Sequence, residues 1–236
     1  MSRENNIKAQ IKRATELFTK IEGEYKNSLT AQSIDKELKL DIQTFCEHLR
    51  SALDYLAKDI AEIHCPNTNS RNKLYFPITS DIISFNNMMN RSYPDLNTNC
   101  ATIYNLIESI QPFKSNENKW LTQFSKVNNE NKHNNLVEQI RTETKTVEVK
   151  SKQGGGSVSW GSGVTFGPGV SVMGVLIDPR TQMPVPNNTI TTTLTTWVDF
   201  KFAGINVSVI GLLKQTLNEV SRISEEIINE IKNSLK

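Results

Sequence analysis

A chain of 236 residues can bury one sizeable core, or one core and a smaller satellite. Its net charge of +2, from 27 basic and 25 acidic residues, sets up no strong field toward nucleic acid or an anionic membrane. No run of about 18 apolar residues occurs, so no stretch is suited to span a bilayer as a helix. The polar start Met1-Ser2-Arg3-Glu4-Asn5-Asn6 has no signal-like apolar segment, and a cytoplasmic location is expected.

The first predicted helix covers residues 3–30. Ile7, Ile11, Ala14, Leu17, Phe18, Ile21 and Tyr25 form one apolar stripe, and charged residues fill the other faces. A second helix is expected from about residue 39 to 64, with Ile42, Phe45, Cys46, Leu49, Leu53, Leu56 and Ile60 on its buried side. The two are read as an antiparallel pair. Pro66 to Ser70 is a loop by composition, and Leu74-Tyr75-Phe76-Pro77-Ile78 is extended, because the residue before a proline avoids the helical region. Ser80-Asp81 caps a short helix to about Met89, broken by Tyr93-Pro94. Thr98-Asn99 opens a helix to Ile110, closed by Gln111-Pro112-Phe113. Glu117 to about Asn134 is helical, with Trp120, Leu121, Phe124 and Val127 on its apolar side.

From Leu136 the period changes. Thr142 to Lys150 is rich in β-branched residues and alternates, as a strand does. Gly154-Gly155-Gly156 is a break. Val158, Trp160, Val164, Phe166, Val170 and Val172 then recur at even spacing among glycines, predicting short strands with tight turns. Met173 to Ile177 reads as a buried strand. Thr189 to Phe202 reads as a long one with Ile190, Thr192, Leu194, Thr196, Val198, Phe200 and Phe202 on one side. A strongly amphipathic helix from about 207 to 234 closes the chain, its stripe running from Val209 to Ile231 as core or as a dimer seam. The expected fold class is α+β: a helical bundle over 1–135, an inserted antiparallel β-sheet over 136–206, and a C-terminal helix over 207–236 that packs back on the bundle.

The Gly-rich stretch 153–169 is no phosphate loop, lacking Gly-x-x-x-x-Gly-Lys-Ser/Thr. No helix follows its glycines, so it is no dinucleotide fingerprint either. A structural hairpin and a ligand-covering flap both remain open for it. Cys46, Cys65 and Cys100 are odd in number and widely spaced, which fits reduced thiols. A zinc site from Cys46, His48, His64 and Cys65 matches no familiar spacing, since adjacent His64 and Cys65 cannot easily face one tetrahedral centre. No metal and no cofactor are expected.

Four spaced motifs come in order: Leu49-Arg50-Ser51-Ala52-Leu53-Asp54-Tyr55, Phe76-Pro77-Ile78, Gln111-Pro112-Phe113 and Asn131-Lys132-His133. Together, over roughly residues 40–136, they resemble a broad group of uncharacterised bacterial and phage helical proteins, which are in turn similar to HEPN domains. The resemblance implies a HEPN-like helical bundle in a defence or counter-defence setting, with a homodimer as one arrangement. It implies either a nucleotide-binding module or a metal-independent ribonuclease. HEPN nucleases carry an Arg followed four to six residues later by His; here His64 is too far from Arg50, and no Arg stands just before His133. Asn134 also stands where the look-alike group has Arg.

The residues themselves leave each role open. Arg50 and Asp54, four apart, share a helix face and either orient an anionic ligand or form an internal ion pair tying the helix to the Asn-Lys-His turn. Lys132 and His133 suit phosphate contact, with His133 as general acid or base, or else His133 closes the helix end. Arg50, Asp54, Asn128, Lys132 and His133 are the candidate ligand-binding set; Arg50, Lys132 and His133 are the catalytic set if the protein is an enzyme. Trp160 and Trp197 stack on a base or pack in the sheet. Gln111 is expected to bond backbone at its helix end, and Arg141 and Arg180 to be solvated. The leading expectation is a non-catalytic protein that recognises a nucleotide, a nucleic acid or a protein partner. A HEPN-type ribonuclease or toxin and a phage protein sequestering a nucleotide signal are the alternatives.

Overall fold

A computed structural model describes residues 2–31, 35–69, 73–133 and 139–235, without the side chains of 29–31, 131–133 and 197. The chain mixes helices with antiparallel sheet and forms two compact units, residues 1–140 with 201–236, and residues 141–200. These bounds fall inside the expected insertion of 136–206.

The first unit is helical. Helix α1 (Glu4–Ala31) packs along α2 (Lys36–His64). Arg3 reaches Asp59, Gln10 reaches His48 and Lys20 reaches Asp41, so the two run antiparallel. Asp35 caps α2 by accepting from the Glu37 N–H, which starts the helix three residues before the expected 39. Arg3 anchors the start of the chain by bridging buried Asp59 at 2.8 Å and exposed Glu62 at 2.6 Å. Helix α3 (Ile82–Ser92) is capped by Asp81 and runs three residues past the expected end. The single helix expected from 98 to 110 is two: α4 (Leu96–Asn99) and α5 (Ala101–Ser109), separated at Cys100, whose backbone leaves the helical region. Asp95, in the left-handed region, turns the chain into α4. A single 3₁₀ turn (Asn116–Asn118) leads into α6 (Lys119–His133).

Helix α7 (Val209–Ser234) is capped by Ser208 and packs on α1, α2 and α6. Its stripe, including Val209, Leu213, Val220, Ile223 and Ile227, is buried within this unit. That face is core within one chain, so it is not left free as a seam. Lys232 ties the far end of α7 to Glu4 at 2.7 Å.

The second unit is β. Strand β1 (Gln139–Ser151) pairs antiparallel with β2 (Ser157–Gly161), Val147 opposite Trp160. Gly154, Gly155 and Gly156 make the turn with φ of +84°, +114° and +105°, a conformation that side chains other than hydrogen resist. Strands β3 (Ser171–Val172), β4 (Val175–Asp178) and β5 (Met183–Pro184) form a separate three-stranded sheet. Met173 and Gly174, both at positive φ, form the turn between β3 and β4, so Met173 is a turn residue and not the first residue of a strand. The long β6 (Ile190–Phe202) lies beside β1, and β7 (Val207–Ser208) pairs with its end, giving the order β2-β1-β6-β7. Val147, Val149, Trp160, Val175, Ile177 and Ile190 form the core of this unit. The expected apolar face of β6 is buried only at its ends: Ile190, Phe200 and Phe202 are covered, while Thr192, Leu194 and Thr196 are exposed. Arg141 is not solvated as expected; it is half-buried, pairs with Glu143, and its Nε has no partner among the described residues.

Candidate functional site

The site is built on a strap. Residues 73–79 run extended, and a buried extended segment must find partners for its backbone groups. Asp54, on α2, accepts the Phe76 N–H at 3.1 Å. The Tyr93 hydroxyl, just after α3, donates to the Tyr75 carbonyl at 2.7 Å. Gln111, fully buried after α5, donates to the Pro77 carbonyl and to the Ile107 carbonyl, both at 3.0 Å, and accepts from the Thr79 N–H at 3.1 Å. Pro77 has no N–H to satisfy, and Phe76 inserts into the core. The Asp54, Phe-Pro-Ile and Gln111 motifs therefore meet as one clamp.

Above the clamp lies a cleft of about 330 Å³, lined by Arg50, Asp54, Tyr75, Met88, Ser125 and Asn129, with Phe76 and Ile78 at its base. Arg50 donates from Nε to one carboxylate oxygen of Asp54 at 3.2 Å, and its Nη2 lies 3.1 Å from the other as an ion pair. Its Cζ lies 5.7 Å from the centre of the Tyr75 ring, within cation–π range, and that ring is half exposed. One of the five guanidinium N–H groups, on Nε, bonds Asp54, and the others have no hydrogen-bond acceptor among the described residues. Burial, reinforced by the nearby Asp54 carboxylate, pushes the Tyr93 hydroxyl well above the ordinary phenol range, so it stays a donor.

Of the sequence candidates, Arg50 and Asp54 line the cleft. Asp54 ties α2 to the Phe76 strap; the expected tie to the Asn-Lys-His turn falls on side chains outside the described residues. Asn128 does not line it. It falls one turn after Phe124 on the inward face of α6, is 1 % exposed, and its Oδ1 has no partner among the described residues. Its neighbour Asn129 takes the cleft position. The side chains of Lys132 and His133 lie outside the described residues, as does Asn134. By backbone position His133 follows Asn129 by four residues in α6, one helical turn further along. Asn129 belongs to the polar run Asn128 to Asn134 at the end of α6. Tyr75 and Ser125 are not singled out by the sequence; the signal for Ser125 is its i,i+4 spacing to Asn129 off the apolar stripe of α6, and for Tyr75 its place just before Phe-Pro-Ile.

The remaining candidates have structural partners. His48 bonds Gln10, and His64 lies 3.4 Å from the Ser234 hydroxyl. Cys46, Cys65 and Cys100 are buried and free. Among the described residues no group of three or more His, Cys, Asp or Glu is placed to hold a metal. Trp160 is buried edge-on to Phe166 and donates its indole N–H to the Gln182 carbonyl at 3.3 Å; the Trp197 side chain lies outside the described residues. Among the described residues no helix is long and apolar enough to cross a membrane.

A second cleft, about 420 Å³, belongs to the β unit and is lined by Val147, Trp160, Val164, Met183 and Leu194, with Lys145 at its edge. Part of the Gly-rich stretch borders it. The Gln182 side chain fixes that stretch, accepting from the Phe166 N–H at 2.6 Å and donating to its carbonyl at 3.2 Å. No family model, no curated protein and no solved structure matches the chain.

Proposed function

We propose that the protein is a non-catalytic binding module, a HEPN-like helical bundle with an inserted β unit, whose Arg50 cleft holds a nucleotide or nucleoside. The observation that carries this reading is the guanidinium held beside the half-exposed Tyr75 ring with N–H donors unspent. A flat base stacks on an aromatic ring, and acceptor oxygens or ring nitrogens take N–H donors. Ser125 and Asn129 add hydroxyl and amide groups on the facing wall. Asp54 neutralises the cation, so the cleft favours a ligand of low charge over a polyphosphate. The volume lies at the small end of the range for ligand clefts.

The test is a thermal-shift and binding screen of nucleosides, nucleotides and short RNAs, with product analysis on the same samples. The expected outcome is a ligand that raises the melting temperature and is recovered intact, with the shift lost in Tyr75→Ala. That variant leaves the clamp in place, because Tyr93 bonds the backbone of residue 75. A panel with no binder, or a binder indifferent to Tyr75→Ala, refutes the reading. The second reading, a HEPN-type ribonuclease, is favoured by the backbone position of His133 one helical turn from Asn129. RNA cleavage abolished by His133→Ala establishes it instead.

A further inference from the structure

The sheet of the β unit has an unfinished side. β6 has β1 on one side; Lys152 N–H donates to the Thr189 carbonyl and the Thr142 hydroxyl to the Asp199 carbonyl, which sets an antiparallel register of Val147 opposite Leu194. On the other side, among the described residues, β6 meets only β7, at Lys201 and Phe202. The backbone bond from Lys152 to Thr189 turns the odd-numbered residues of β6 toward β1, so the even-numbered ones turn their N–H and C=O away from it. Ile190, Thr192, Leu194, Thr196 and Val198 thus present a free ladder, with no strand beside it among the described residues. Residues 191–196 are all exposed, and 190–198 hold no charge and no proline, the features that normally blunt an edge.

The same stretch reads nearly alike in both directions about Leu194. Ile190-Thr192-Leu194-Thr196-Val198 is a palindrome of residue character, and Thr191, Thr193, Thr195 and Trp197 stand between its members. In an antiparallel pairing of two copies centred on Leu194, Ile190 faces Val198, Thr192 faces Thr196, and Leu194 faces itself. At the five even-numbered positions apolar meets apolar and threonine meets threonine, as favoured cross-strand pairs do, while Thr193 faces Thr195 and Thr191 faces Trp197. On the sheet face, Trp160, Val147 and Leu194 form one row that lines the apolar cleft and ends abruptly at Leu194, which is 50 % exposed. A second copy continues that row through its own Leu194, Val147 and Trp160.

We propose that β6 is a self-association strand: two copies of this chain pair edge to edge through residues 190–198, about a two-fold axis at Leu194, into one continuous sheet. The absence of charge removes like-charge opposition across the axis. Such an interface is isologous and closes at two copies.

Sedimentation velocity of the full chain, up to about 100 µM to span micromolar affinities, reads the association. A concentration-dependent dimer is expected. Leu194→Lys, which sets two ammonium groups opposite each other, is expected to weaken it roughly tenfold or more. Thr192→Lys with Thr196→Lys weakens it likewise. Thr192→Lys with Thr196→Glu restores it, because the register sets position 192 of one copy opposite position 196 of the other, and each ammonium then meets a carboxylate. All these sites are exposed, and circular dichroism confirms that the variants fold. In Leu194→Cys an oxidised dimer forms across the axis, with the native cysteines buried and silent. A wild-type monomer throughout, a dimer indifferent to these changes, or growth past the dimer into fibres overturns the proposal.

Discussion

Gln111→Ala tests whether the clamp holds the strap. Gln111 is completely buried and uses its amide nitrogen twice and its oxygen once or more, on groups from two segments. Removing the side chain leaves the Pro77 carbonyl and the Thr79 N–H buried without partners; Pro77 and Thr79 are themselves buried. Each orphaned group costs about 1–3 kcal/mol, and a small cavity adds to that. The expected loss is about 3–5 kcal/mol, read as a lowered midpoint at unchanged slope in urea unfolding. Gln111→Glu sharpens the test. A carboxylate still accepts from Thr79 but faces the Pro77 and Ile107 carbonyls, so burial and carbonyl dipoles favour its protonated form. Its folded pKa is then raised, and its stability contribution is present below the unfolded value and lost as pH rises through the folded one. This variant is therefore expected to be more stable near pH 4 than near pH 7, relative to wild type. A Gln111→Ala loss below about 1 kcal/mol refutes the clamp, because that is less than one buried orphan costs.

Three other expectations follow from charges and thiols. Lys232, ahead of Lys8, holds the Glu4 carboxylate down at about 2. Its folded value lies below the unfolded one, so its contribution is present above about pH 4.5 and fades toward pH 2; Lys232→Ala should move acid unfolding to higher pH, with added salt narrowing the difference. Burial lowers the His64 imidazole below its ordinary 6.5, against a smaller opposing pull from Glu230. The neutral ring is favoured in the folded state, so stability is full above about pH 6.5 and falls on acidification, and unfolding curves at pH 7.5 and 5 should converge in His64→Gln. Burial pushes the Cys46 thiol up to about 12, so native protein should leave it unreacted with a thiol reagent at pH 8, and denaturant should release it. Labelling of Cys46 at the denatured rate without denaturant contradicts that.

The bundle was legible because its helices carry their burial in their spacing. The stripes of α1, α2 and α7 are long, so one reading of the period fixes which residues turn inward. The interruption at Cys100 was not legible, since no glycine or proline marks it and the break is made by a backbone conformation there. In the β unit, alternation predicted a buried face for all of β6. Its middle is exposed, Thr192, Leu194 and Thr196 among it, and whether a strand face is covered depends on tertiary packing and not on the alternation of β6 itself. At the site, Arg50 and Asp54 were legible as an i,i+4 pair, and Gln111 as a backbone partner at its helix end. What the spacing does not carry is that the groups they bind lie on a strap more than twenty residues from Asp54 and more than thirty from Gln111.

The Arg50–Asp54 pair is asymmetric, and the asymmetry separates a tie from a site. Asp54 is engaged on both oxygens: one takes the Phe76 N–H and lies 3.1 Å from Arg50 Nη2, and the other takes Arg50 Nε. Arg50 keeps N–H groups with no acceptor among the described residues, and its side chain is 14 % exposed against 22 % for Asp54. Arg50→Lys keeps a cation near Asp54 but loses the planar fork and its stacking on Tyr75. If the arginine serves only to hold the strap, Lys serves nearly as well, and both stability and ligand response stay as in wild type. If its spare donors read a ligand, stability changes by less than about 1 kcal/mol, the worth of a partly exposed ion pair. The ligand-induced thermal shift then collapses. A variant that loses several kcal/mol in urea unfolding would show that the fork, and not Asp54 alone, organises the strap, and the cleft would then be a consequence of packing.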